Sequence, residues 1–148
     1  NVLHSLMLAG ALTGMTVSAA CPPGYEPDPV IVERARQIAG SNDRILLTSD
    51  PLIAAQDADF VYTDVWTSMG QEREMISRVQ AFRDYQVNAK VMSQAKPDAL
   101  FMHCLPAKRG LEVTDDVIDG SQRIVFQQAE NRMHIAKGLL LWVLEKSI

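Results

Sequence analysis

One pattern constrains this chain more than any other: short apolar runs alternate with stretches of helical spacing. The runs are Thr16–Ala20, Arg44–Thr48, Asp59–Thr63, Leu100–His103 and Arg123–Phe126. Parallel neighbours cannot be joined by a tight turn and need a crossover, usually a helix. The alternation therefore predicts βαβ units and an α/β fold, a doubly wound parallel sheet with helices on both faces.

The helices carry their own start and stop signals. Val2, Leu3, Leu6, Met7 and Ala9–Gly10 recur at three and four, which predicts a helix ending near Gly14. Asp28 is placed to cap a helix reaching Ala39, with Pro29 at its first position. Ser49-Asp50-Pro51 opens a short helix to Gln56, and Gln71 to Phe82 forms another, with Ser68 and Gln71 spaced as a capping box. Asn88 caps a helix to about Ala95, and Val113–Ile118 makes a helical turn. A final helix runs from Gln128 to Lys146, apolar at Met133, Ala136, Leu140 and Val143. Tyr85-Gln86-Val87 is too short to assign.

Composition narrows the function classes. A length of 148 residues, 47% hydrophobic and 22% charged, suits one globular domain with its own core. A net charge of -4 without a Lys/Arg block argues against a nucleic-acid partner. Two cysteines make no disulfide framework, no Cys/His cluster has metal spacing, and a reduced, cytoplasmic setting is expected. Neither a Gly-rich dinucleotide fingerprint nor a P-loop occurs. Val2 to Cys21 imitates a secretory leader, but it lacks a basic start and begins on Asn rather than Met. The Leu139–Leu144 run is far shorter than the ~20 apolar residues a membrane span needs. Opening on Asn1 with an immediate helical pattern, the sequence reads as a fragment.

In an open parallel sheet, ligands bind beyond the carboxyl ends of the strands. Three segments fall there: Asp64 to Gly70, His103 to Pro106, and Glu130-Asn131-Arg132 at the start of the last helix. Asp64 is either a turn carboxylate or the partner of a substrate ammonium. Ser68-Met69-Gly70, before a helix, suits a ligand carboxylate as well as a plain N-cap. Cys104 by itself is more often a small buried hydrophobe than a reactive thiol. His103 and Cys104, as strand neighbours, point to opposite faces, which weakens a Cys-His dyad. Arg132, placed against the helix dipole, calls for compensation by Glu130 or by a bound phosphate. His4 reads as packed, Trp66 as a loop anchor, and Cys21 receives no role.

Taken together and in order, Asn1-Val2-Leu3-His4-Ser5-Leu6, Pro23-Gly24-Tyr25-Glu26-Pro27, Asp64 to Glu72, Tyr85-Gln86-Val87-Asn88, His103-Cys104-Leu105-Pro106 and Glu130-Asn131-Arg132 resemble the C-terminal half of the ornithine carbamoyltransferases. The resemblance spans nearly the whole chain and implies a Rossmann-like domain, 1–148, that binds L-ornithine. It implies transfer of the carbamoyl group of carbamoyl phosphate to the δ-amine, giving L-citrulline and phosphate without metal or organic cofactor. By resemblance, Asn1, Asp64, Ser68 and Met69 hold the ornithine α-groups, and Cys104 lies beside the δ-amine, linked to Asp64. Leu105 and Arg132 belong to the carbamoyl phosphate site, and His103 contacts the carbamoyl oxygen. The family's N-terminal carbamoyl phosphate domain and the strand leading into Asn1 are not in this sequence. That strand would be central, so its absence is expected to expose two inner strand edges. The family works as a trimer or a multiple of trimers, with no nucleic acid or membrane partner. Two rival readings are a carbamoyltransferase for another amine and a non-catalytic amino-acid-binding fragment.

Overall fold

Capping chemistry sets the first helix. In the computed structural model, which describes residues 1–67 and 72–146, Asn1 Oδ1 accepts the Val2 N–H at 2.7 Å and opens α1, Val2–Thr13. The helix stops at Gly14, whose φ of 77° is a left-handed value open to glycine. α1 lies so close to the first strand that a Cβ at Gly10 would meet Val17 Cγ2 at 2.5 Å. Strand β1, Val17–Ala20, follows. Asp28 then caps α2, Pro29–Ala39, by accepting the Val30 N–H, with Pro29 in the first turn as expected. His4 Nε2 accepts the Asp28 N–H at 3.0 Å, tying the start of α2 to α1.

The later elements are β2 (Ile45–Thr48), α3 (Pro51–Ala55), β3 (Phe60–Thr63), α4 (Met75–Phe82), α5 (Ala89–Met92), β4 (Leu100–His103), α6 (Asp115–Ile118) and α7 (Val125–Lys146). β1 pairs parallel with β2, Val17 opposite Ile45, and α2 makes the crossover. β3 pairs parallel with β4, Phe60 opposite Leu100 and Thr63 opposite His103. The α/β class with parallel strands and helical crossovers is thus the observed one. Among the described residues the strands form two separate two-stranded sheets rather than one continuous ladder.

Three boundaries depart from expectation. The strand over Arg123–Phe126 reduces to one parallel bridge, Arg123 opposite Phe101, made by the Phe101 N–H to Gln122 and the Ile124 N–H to Phe101. The β-branched pair Ile124-Val125 favours a strand locally, but Val125 is buried as the first residue of α7, and packing overrides propensity. Consequently α7 begins before Gln128, and Glu130-Asn131-Arg132 occupy its second turn rather than its start. α4 begins at Met75, after a 3₁₀ turn over Glu72–Glu74, and not at Gln71. The proposed capping box of Ser68 and Gln71 lies outside the described residues.

Two apolar cores result. Met7, Ala11, Val32, Ala35 and Ile45 fill the space between α1, α2 and β2. Val61, Val87, Val91, Phe101, Val113, Val117, Ile118 and Val125 fill the other, around β3 and β4. The unassigned Tyr85-Gln86-Val87 enters this second core through Val87, which bridges to Val113.

Candidate active site

Register brings the chemistry together. Because Thr63 is opposite His103, the residues that leave each strand, Asp64 and Cys104, emerge side by side. The Cys104 thiol donates to Asp64 Oδ1 at 2.8 Å, and the same oxygen accepts the Val65 N–H at 2.7 Å. Strand alternation puts Tyr62 two residues from Asp64, on the same side. Its hydroxyl lies beside Cys104 and accepts from Gln128 Nε2 at 3.3 Å. Gln128 also accepts the His103 N–H through Oε1 at 3.0 Å, so the first turn of α7 is pinned to both strands.

The electrostatics follow from this packing. Partial burial, then the hydrogen bond and charge of Asp64, push the Cys104 thiol up to about 11 from 9.0, so at neutral pH it is a protonated donor. Burial, then the neighbouring sulfur, push Tyr62 up to about 12. In this pair Asp64 is the acceptor, and Cys104 is no thiolate nucleophile.

Beyond Cys104 the chain turns sharply. Leu105 sits at φ 53°, a left-handed value rare for a branched side chain, before a cis peptide bond to Pro106. Its N–H donates to His103 Nδ1 at 2.8 Å. The His103 ring is fully buried and its Nε2 meets Glu112 Oε1 at 3.2 Å. Both ring nitrogens are thus engaged inside the chain. Arg109 in the following loop pairs with Asp115 and Asp119 of the α6 segment.

On the other wall, Trp66 stacks on Phe82 with centroids 6.0 Å apart, and Tyr25 and Tyr85 pack edge-on against the same ring. Trp66 therefore anchors the loop after Asp64, as its sequence position suggested, and Thr67 beside it is buried. Ser68 and Met69 lie outside the described residues.

Neither Arg132 nor Asn1 is bonded to this pair among the described residues. Arg132 is exposed on the second turn of α7, and no hydrogen bond or ion pair joins it to Asp64 or Cys104 among the described residues. A dipole effect fades beyond the first turn, so the paired reading of guanidinium and helix N-terminus on one phosphate is overturned. Asn1 is occupied as a cap. Residue patterns missed Tyr62, Gln128 and Glu112. Tyr62 was within reach, being two residues from Asp64; the other two had no local signal. Among the described residues no cluster of His, Cys, Asp and Glu could hold a metal ion, and no helix is long and apolar enough to cross a membrane.

Comparison with known proteins gives the family. Residues 1–143 match the model of the aspartate/ornithine carbamoyltransferase Asp/Orn binding domain. The ornithine carbamoyltransferase of Trichormus variabilis is 53% identical over 144 residues, covering 97% of this chain and 47% of the relative. That of Geobacillus stearothermophilus is 53% identical over 145 residues, covering 97% and 47%. Among solved structures, the ornithine carbamoyltransferase from Pyrococcus furiosus superposes with a TM-score of 0.86 at 53% identity, over 93% of this chain and 44% of that one. The anabolic enzyme of Campylobacter jejuni gives 0.87 at 34% identity, over 97% and 48%. The chain spans about half the length of the relatives it matches. With sequence and fold matching over nearly its whole length, this chain belongs to the aspartate/ornithine carbamoyltransferase family, as its Asp/Orn binding domain.

Proposed function

We propose that the chain is the L-ornithine-binding domain, over 1–148, of an ornithine carbamoyltransferase, and that a carbamoyl phosphate-binding half completes its active site. The observation that carries this reading is the 2.8 Å contact between Cys104 and Asp64 at aligned strand ends. Carbamoyl transfer needs the substrate amine deprotonated, and an alkylammonium like that of Lys holds its proton to a pKa of ~10.4. Asp64 is the acceptor toward which that proton moves, and the protonated Cys104 thiol keeps the carboxylate oriented. The freed amine attacks the carbamoyl carbon. The carbon–oxygen bond to phosphate then breaks, phosphate leaves with the bonding electrons, and the second proton, now surplus on the attacking nitrogen, passes to the departing phosphate.

In this reading Asn1, Ser68 and Met69 hold the α-amino and α-carboxylate groups with Asp64. The Leu105 carbonyl and Arg132 face the carbamoyl phosphate. For Arg132 this requires the complementary half to supply the rest of the anion site, since the guanidinium is exposed. The completed protein is a cytoplasmic homotrimer or a multiple of trimers.

The test joins this chain to the carbamoyl phosphate half of the Pyrococcus furiosus relative and measures citrulline formation. Turnover is expected with ornithine, with putrescine and aspartate far poorer acceptors. Equal or better turnover with either rival replaces ornithine as the substrate. The chain without a complementary half is expected to show none.

A further inference from the structure

The turn after β4 contains a buried polar pair for which carbamoyl transfer provides no task. The side chains of His103 and Glu112 are both 0% exposed and meet at 3.2 Å, Nε2 to Oε1. The Leu105 N–H donates to His103 Nδ1 at 2.8 Å. A ring nitrogen that accepts carries no proton, so the ring proton is on Nε2 and donates to Glu112. Glu112 Oε1 also accepts the Lys108 N–H, while its Oε2 has no partner among the described residues. One carboxylate thereby gathers the ring of residue 103, through it the N–H of 105, and the N–H of 108. A buried carboxylate with an orphaned oxygen is costlier than an apolar pair of similar size. An apolar pair, however, cannot set a tautomer or accept two N–H groups. Between the two anchored N–H groups the chain holds Leu105 at its left-handed φ of 53°, and immediately before it stands Cys104.

We propose that Glu112 and His103 are positioning residues: Glu112 fixes His103 as the Nε2–H tautomer, and the ring's Nδ1 grips Leu105 so that the turn presents Cys104 to Asp64. The proposal rests on the reading of Cys104 and Asp64 as the amine-side pair, and its test follows the thiol rather than turnover.

In a Cys21→Ser background Cys104 is the sole thiol, and its alkylation by iodoacetamide is followed against pH, alongside nitrogen NMR of the His103 ring. The unaltered turn is expected to give an Nε2–H ring and slow alkylation until well above pH 9. Glu112→Ala is expected to raise the rate at pH 8 about tenfold or more, because a thiol freed from Asp64 ionises earlier. Glu112→Gln keeps an acceptor and restores slow alkylation. Val61→Ala, a truncation in the same core, controls for lost stability and leaves the alkylation midpoint in place. An Nδ1–H ring, or an unchanged midpoint in Glu112→Ala, overturns the proposal. Should Glu112→Ala not fold, the ring tautomer and Glu112→Gln decide it: a Gln variant alkylated as fast as free thiol also overturns it. Asp64→Asn is a separate arm. If it leaves the midpoint unmoved, the amine-side pair itself fails, whatever Glu112 does.

Discussion

The two parallel strand pairs of this domain are built from the same βαβ pattern and filled in opposite ways. Around β1 and β2 the core is wholly apolar: Met7, Ala11, Val32, Ala35 and Ile45 pack beneath the contact of α1 with α2. Around β3 and β4 an apolar core of Phe101, Val61, Val113 and their neighbours is capped at the strand ends by polar groups. All the buried polar residues among those described, Thr67, His103 and Glu112, fall in this second half. Polar groups are costly to bury unless bonded, so they gather where backbone N–H groups and the Asp64 carboxylate need partners. One half is closed by packing alone, the other by packing and a polar cluster at its strand ends. The Tyr85 hydroxyl, donating to the Ser49 carbonyl at 2.6 Å, and the ring of Tyr25 on Phe82 link the two.

Substitutions can break or sharpen that contrast. The largest effect is expected at Asp64. In the protein joined to a carbamoyl phosphate half, Asp64→Asn removes the acceptor and lowers kcat by about 10²–10⁴-fold, with the urea midpoint little changed. A stability loss equal to the activity loss would make the second half merely another core. Next comes Phe101→Ala. Its ring is fully buried, so urea unfolding should show a loss of about 3–5 kcal/mol. Met7→Ala in the first half is expected to cost about 2–5 kcal/mol while leaving Cys104 alkylation against pH unchanged. A shifted thiol midpoint in Met7→Ala would dissolve the division of labour.

Gly10→Ala is expected to cost about 1–3 kcal/mol by overpacking against Val17, read as a lowered thermal midpoint. Val17→Ala should recover most of it. The smallest effect is in pH dependence. The Cys104 thiol ionises at about 11 when folded against 9.0 ordinarily. The unfolded thiol therefore loses its proton first, and stability falls as pH rises from about 9 to about 11. Tyr62, raised to about 12 from 10.0, acts in the same direction in a higher window. Cys104→Ala is expected to flatten the decline between pH 9 and 11 in urea titrations, and an equally steep decline would show the thiol to be uncoupled from folding.

The legibility of the sequence divides along a physical line. Caps at Asp28 and Asn88 and the stop at Gly14 rest on interactions within a few residues, and pattern alone located them, as alternation located the four longer strands. The nearness of Asp64 to Cys104 was also accessible, once a parallel sheet was assumed, because strand ends share a rim. Arg123–Phe126 was not. Its β-branched residues favour a strand, but a single bridge to Phe101 and the burial of Val125 start a helix instead. That displacement moved Arg132 out of the first turn.

By itself, then, the sequence determined the α/β class, the helix limits set by local caps, and the family carried by its ordered motifs. Only the tertiary structure decided that His103 turns inward to Glu112, that Tyr62 and Gln128 back the Cys104 thiol, and that Arg132 stands exposed. The reason is range. Caps and alternation act between residues a few positions apart, whereas these bonds join residues 9 and 66 positions apart, and only packing fixes such distances.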